Sequence, residues 1–176
     1  MGKVLFAEQD GVQVLKFEGD VRVMLGPTIT DYLKSLSAKK GIQAIIIDLR
    51  ETTSIDSTTL GLLAKISIRS QQEFNALPTI ISTNPDITRI LESMGFNLIF
   101  VIAGDCEHGC EQLGELPTHM VSESALRDQV IDAHKVLMGL NEENMVTFRA
   151  LVEALQKEKD AGPAQKSAGP RRTGTG

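Results

Sequence analysis

The sequence predicts an α/β fold: a mixed β-sheet with a parallel centre and packed helices, followed by a C-terminal αα-hairpin. Residues 4–17 have the pattern of a β-hairpin. The run AIII at 44–47 has no polar alternation, which is typical of a strand buried on both faces of a sheet. Helical periodicity then alternates with short strands, and this order favours parallel pairing. With six Phe, one Tyr and no Trp, the core is aliphatic.

The composition limits the class of function. The 176 residues provide one domain and an appendage, and the net charge of −5 argues against nucleic-acid binding. Protein partners are expected instead. The N-terminus begins directly with a strand pattern, and no apolar run approaches the roughly 18–20 residues of a membrane span. Two cysteines are too few for a disulfide scaffold, so we expect a cytoplasmic protein without a membrane segment.

Local signals place the elements of the first domain. Asp10 and Gly11 form a turn signal between two strands, and Pro27 suits the first turn of a helix that Gly41 stops. A helix follows the polar residues 56–57 and is apolar at Leu60, Leu63, Ala64 and Ile68. A strand at 78–82, a helix from Asn84 to Gly95 and a last strand at 97–102 complete this domain.

Composition changes divide the chain into four parts. The core domain spans 1–103, and residues 104–121 form a linker rich in Gly, Cys and His. Residues 122–159 form a helical hairpin, and the tail at 160–176 is rich in Gly, Pro, Ala and Ser and is expected to be disordered. The apolar stripes of the hairpin face either the core or a partner, and the sequence leaves both open. The stripe residues are Leu126, Val130, Ala133, Leu137 and Leu140 in the first helix, and Met145, Phe148, Leu151, Val152 and Leu155 in the second.

A hydroxyl and carboxylate cluster, RETTSIDSTTLG at 50–61, joins the buried strand to the next helix. A phosphate on Ser57 would meet the unpaired N–H groups and the positive end of the dipole at this helix start. It would add about −1.5 to −2 charges, enough to reject a partner suited to a neutral hydroxyl. Helix capping explains the same residues, because Asp, Ser and Thr are preferred N-caps. Both interpretations stay open at this point.

Several segments resemble the STAS domain, the fold of bacterial anti-sigma factor antagonists. The phosphorylation signature of that family is an apolar strand ending in Asp-Leu, then Asp-Ser-Ser/Thr-Gly-Leu-Gly. This chain has IIIDL at 45–49 and DSTTLG at 56–61, and further matches are FEGD at 17–20, STNP at 82–85 and LESMGF at 91–96. The resemblance covers residues 4–103.

The resemblance implies an anti-sigma factor antagonist that acts by partner switching. The phosphate acceptor maps to Ser57, with Thr58 as the weaker alternative, and Asp20, Asp56 and Thr59 complete the expected partner-binding surface. The implied partners are an anti-sigma factor that is also a serine-protein kinase, and a PP2C-type serine phosphatase, a role that a response regulator could fill. No cofactor and no metal are implied.

Two positions depart from the family pattern. Thr59 replaces a glycine and could narrow the approach of a partner backbone, and Arg22 stands where many members have an acidic residue. The alternative function is a STAS subunit of a lipid or anion transport complex that is never phosphorylated. A third interpretation, an enzyme with Ser57 as nucleophile, has no sequence pattern that supplies a histidine base.

The remaining histidines and cysteines form weaker patterns. Cys106, His108, Cys110 and His119 could offer four zinc ligands, but C-x-H-x-C is not a familiar zinc spacing. We expect free thiols and surface histidines there. His134 is expected on the charged face of its helix.

Overall fold

The computed structural model describes residues 1–105 and 112–162. Within these residues the strands are β1 (Lys3–Gln9), β2 (Val12–Val21), β3 (Ala44–Ile55), β4 (Thr79–Ile81), β5 (Val101–Ala103) and β6 (Gly114–Glu115). The α-helices are α1 (Gly26–Leu36), α2 (Ser57–Phe74), α3 (Pro85–Ser93), α4 (Glu123–Met138) and α5 (Glu142–Ala161).

The described strands form one mixed sheet in the order β5-β4-β3-β2-β1-β6. β2, β3, β4 and β5 pair in parallel, whereas β1 pairs antiparallel with both β2 and β6. Asp10 and Gly11 both have positive φ (52° and 81°), which is the backbone that a two-residue hairpin turn requires. The mixed sheet with a parallel centre is therefore confirmed, and the Asp-Gly signal marks the turn.

One large apolar cluster lies between the sheet and the helices, and every α-helix contributes to it. Alternate residues of β3 show which face of the sheet the helices cover, because successive strand residues point to opposite sides of the sheet. Ile45, Ile47 and Leu49 join the large cluster, whereas Ile46 belongs to a small cluster on the other face. The helices thus cover one face, and the carboxyl end of β3 leads directly into α2.

Two predicted segments differ from the structure. The predicted strand at 97–102 is a 3₁₀-helix at Phe96–Leu98 followed by the short strand β5. Phe96 and Phe100 stack and are both buried, so their four-residue spacing reflects a turn of helix and not strand alternation. The predicted linker supplies β6, whose residues 114–115 pair with Phe6 and Leu5. An apolar run alone does not distinguish these local conformations.

The C-terminal helices form an antiparallel pair, and their N-caps are Ser122 and Asn141. α5 ends at Ala161, so the first two residues of the predicted tail at 160–176 are helical, and residues 163–176 lie outside the described residues. The buried residues of α4 are Ile131, Ala133, His134 and Leu137, and those of α5 are Asn144, Phe148 and Val152. Of the two orientations that the sequence left open, the pair takes the one in which it packs on the core.

Candidate functional site

Asp56 organises the junction between β3 and α2. Its Oδ1 accepts hydrogen bonds from the backbone N–H and the hydroxyl of Thr59, both at 2.8 Å. Its Oδ2 accepts from the backbone N–H of Val23 at 2.7 Å. One carboxylate thus caps α2 and ties it to the loop that follows β2. The capping role belongs to Asp56, and the hydroxyl of Ser57 is left for another contact.

Ser57 is the first residue of α2 and is half-buried. Its Oγ lies 2.8 Å from Nε2 of His134, on α4. The other ring nitrogen, Nδ1, lies 2.7 Å from the carbonyl oxygen of Val130. Because a carbonyl only accepts, Nδ1 bears the hydrogen. In a neutral ring Nε2 is then an acceptor, and the hydroxyl of Ser57 donates to it.

His134 contradicts its predicted exposure. The residue is only 2% exposed, and its ring packs edge-on against Phe148 with 5.0 Å between ring centroids. It lies one residue after Ala133 in the buried stripe of α4, so its position in the helical repeat was the available signal. A histidine is easily assigned to the polar side of a helix, whereas here Nε2 forms a hydrogen bond with the half-buried hydroxyl of Ser57.

The other predicted surface residues differ in exposure. Thr58 and Thr59 are buried, and the hydroxyl of Thr59 bonds inward to Asp56. Thr59 therefore does not narrow the approach of a partner backbone, because its side chain points below the surface. Asp20 remains partly exposed and accepts hydrogen bonds from Ser54 and Arg22, which hold the pKa of its carboxyl below the usual range. Arg22 thus forms an ion pair with Asp20, the acidic residue beside the site.

Asp48 stabilises the strand that leads to the site. Burial raises the pKa of this carboxyl, but hydrogen bonds from the backbone and guanidinium of Arg50 outweigh it, so the net shift is downward. A lowered folded-state pKa means that Asp48 stabilises the fold above its unfolded pKa of about 4 and that this contribution is lost as the pH falls through the lower, folded value.

Asp48→Asn is expected to cost about 1–2 kcal/mol at pH 7 and to flatten the decline of the unfolding free energy below about pH 4. Urea unfolding between pH 7 and pH 2 measures both effects. Asp105→Asn is the matched control, because Asp105 pairs with the same Arg50 but is exposed. An acid dependence identical in wild type and Asp48→Asn would contradict this account.

The candidate zinc residues are only partly described. Cys106, His108 and Cys110 lie outside the described residues, and Nε2 of His119 lies 3.0 Å from a carboxylate oxygen of Asp31. Among residues 1–105 and 112–162, no group of three or more His, Cys, Asp or Glu side chains could hold a metal ion. No helix in the same two ranges is long and apolar enough to cross a membrane.

Comparison with known proteins identifies the class. The family model for the STAS domain matches residues 3–108, and the chain belongs to this family. Its α/β fold is similar to that of an anti-sigma factor antagonist from Mycobacterium paratuberculosis, with a TM-score of 0.52 and 19% identity over 61% of this chain and 89% of that one. A second structure, the anti-sigma factor antagonist SpoIIAA in its unphosphorylated form, has a TM-score of 0.48 and 14% identity over 58% of this chain and 88% of that one. A search of curated proteins found no match. The family match ends before α4 and α5.

Proposed function

We propose that this protein is an anti-sigma factor antagonist that works by partner switching and is controlled by reversible phosphorylation of Ser57. The observation that supports the proposal best is the division of roles at the start of α2. Asp56 satisfies the helix N-terminus, so the hydroxyl of Ser57 is not needed to cap α2. A hydroxyl at this position is well suited to a phosphate, because the helix dipole favours negative charge.

The proposed cycle has two partners. An anti-sigma factor that is also a serine kinase binds the unmodified chain and phosphorylates Ser57, and a PP2C-type phosphatase removes the phosphate. The added charge would lie beside Asp20 and Asp56, so a partner surface suited to the neutral hydroxyl would be repelled. Thr58 is a poorer acceptor because its side chain is buried.

The chain acts as a regulator and not as an enzyme in this proposal, although Ser57 and His134 form a nucleophile–base pair in outline. In hydrolytic triads a carboxylate orients the histidine and stabilises its charged form. Here the backbone carbonyl of Val130 takes that position, and the pair lies where α2 meets α4, with Ser57 half-buried and His134 buried. The pair therefore lacks the carboxylate that orients the histidine in hydrolytic triads.

A pull-down that compares Ser57→Ala with Ser57→Asp tests the proposal. In pull-downs from lysates of cells in which the chain is native, Ser57→Asp is expected to bind the kinase-like partner at least about tenfold less than Ser57→Ala does. The reason is charge repulsion. Intact-mass analysis should find a phosphate on the wild type that is missing in Ser57→Ala.

Ser124→Asp is the matched control, because it adds the same charge in the first turn of α4 at an exposed position. Equal retention by Ser57→Ala and Ser57→Asp would contradict charge-controlled binding. An unmodified Ser57 under all growth conditions, together with copurification of a membrane transporter, would favour the alternative, a STAS subunit of a lipid or anion transport complex.

A further inference from the structure

α4 packs against the first turns of α2 at very short range. A Cβ placed on Gly61 would lie 2.7 Å from the Cβ of Ala133 and closer still to its carbonyl oxygen. Real Cβ atoms essentially never approach other heavy atoms so closely, so this contact requires glycine on α2 and a small residue on α4. Ser57 lies one helical turn before Gly61, so α4 covers the same face that includes Ser57.

The hydrogen bond between Ser57 and His134 cannot persist after phosphorylation, because the phosphate replaces the hydroxyl hydrogen that Ser57 donates. Oγ and Nε2 are 2.8 Å apart, which is a direct hydrogen bond, and a phosphorus atom with three oxygens cannot be inserted between them. The ring cannot simply rotate away, because Nδ1 is bonded to Val130 and Phe148 packs against the ring. Phosphorylation of Ser57 therefore breaks this contact and weakens the attachment of α4 to α2.

The hairpin is attached unequally at its two ends. Near the turn between α4 and α5, Asn144 Nδ2 donates to the carbonyl oxygens of Met94 (2.9 Å) and Leu137 (2.8 Å), and Asn141 Nδ2 donates to that of Ser93 (3.3 Å). The bonds to Met94 and Ser93 tie the turn to the end of α3, and the bond to Leu137 lies within the hairpin. Near the start of α4, by contrast, Gln129 presses against Gly26, and its Nε2 is buried with no hydrogen-bond partner in the described structure.

The unpaired Nε2 of Gln129 opposes docking, because undocking returns it to water, and the Oε1 of the same amide accepts only one long hydrogen bond, from the hydroxyl of Thr30 at 3.3 Å. The first half of α4 is thus less firmly held than the turn. Local opening of such segments while the rest of a protein stays folded is common, and its free energy is lower than that of global unfolding.

From this geometry we propose that the α4–α5 hairpin is an intramolecular inhibitor that covers Ser57, so that docking of the hairpin and phosphorylation of Ser57 exclude each other. The inference rests on the proposed function for the role of Ser57. It assigns the regulation of Ser57 to α4 and α5, which lie beyond the residues that the family model matches. By linkage, a docked hairpin protects Ser57 from the kinase, and a phosphate on Ser57 releases the hairpin.

The accessibility of a thiol at position 57 tests whether the hairpin covers this position, and it needs no kinase or partner. In full-length protein containing Cys106→Ser and Cys110→Ser, the thiol introduced by Ser57→Cys is expected to react slowly with a maleimide. Adding Ala133→Leu, which enlarges α4 over Gly61 and leaves α2 unchanged, is expected to raise that rate by at least about tenfold. His134→Ala should act in the same direction. Ala150→Leu is the matched control, because Ala150 is exposed on α5.

Equal rates in the Ala133→Leu, His134→Ala and control proteins would overturn the inference, as would a wild-type rate equal to that of a free cysteine peptide. The second arm is hydrogen exchange of α4 in Ser57→Asp, which is expected to be faster than in Ser57→Ala. Equal exchange would overturn the mutual exclusion. Neither arm uses the partner, so the inference and the proposed function can fail separately. If the thiol at position 57 is protected but the chain is never phosphorylated in cells, the proposed function is rejected and the cover over Ser57 stands.

Discussion

Asp56→Ala is expected to lower the free energy of unfolding of the core domain by about 3 kcal/mol. The substitution removes the N-cap of α2, whose loss alone typically costs about 1 kcal/mol. It also leaves the N–H of Val23 and the hydroxyl of Thr59 without their acceptor, and Thr59 is fully buried. Unpaired buried donors add about 1–3 kcal/mol. Urea unfolding followed by Tyr32 fluorescence measures the effect, because Tyr32 is the only tyrosine, is buried and the chain has no Trp.

Two neighbouring variants separate capping from phosphate acceptance. Asp56→Asn should recover most of the stability, because asparagine caps as well as aspartate does. Ser57→Ala should cost less, about 1–2 kcal/mol, since it removes no cap and leaves only Nε2 of His134, on the hairpin, without its donor. If Ser57→Ala destabilised the core domain as much as Asp56→Ala, Ser57 would have a structural role, and its assignment as a free phosphate acceptor would be wrong.

Leu137→Ala is expected to weaken docking of the hairpin by about 3 kcal/mol while leaving the stability of the core domain nearly unchanged. Leu137 is fully buried where α4 meets the core, so truncation creates a cavity in the interface. The STAS match ends before α4, so β1 to β5 with α1, α2 and α3 form the family domain, and the hairpin is an addition to it. In urea, unfolding of α4 and α5 should therefore precede unfolding of the core domain.

Two probes follow the two parts of the molecule in one urea titration. Far-UV circular dichroism reports all helices, and Tyr32 in α1 reports the core domain. In Leu137→Ala the dichroism midpoint should fall while the Tyr32 midpoint stays within about 0.3 M of the wild type. Leu151→Ala is the matched control, because Leu151 is 41% exposed on α5. Equal shifts of both midpoints would mean that hairpin and core unfold as one unit, which would count against a hairpin that opens separately.

The sequence predicted the features that depend on local chemistry. The Asp10-Gly11 turn, the buried parallel strand at 44–47 and the start of α2 after Asp56 all follow from neighbouring residues, because turn backbone, apolar runs and caps are short-range effects. In the strand predicted at 97–102, residues 97–100 were wrongly predicted, and only 101–102 belong to β5. The apolar residues of this segment are compatible with either state, and the stacking of Phe96 on Phe100 selects the 3₁₀ turn.

By itself, therefore, the sequence determined the mixed α/β fold and singled out the junction at residues 56–57. Only the tertiary structure decided which residue caps α2 and what Ser57 contacts. His134 is 77 positions from Ser57, and no local pattern relates them. They meet because Gly61 lets α4 approach α2 closely and because the apolar stripe of the hairpin is buried against the core. Non-local packing of this kind depends on the shapes of two whole surfaces, which sequence periodicity does not describe.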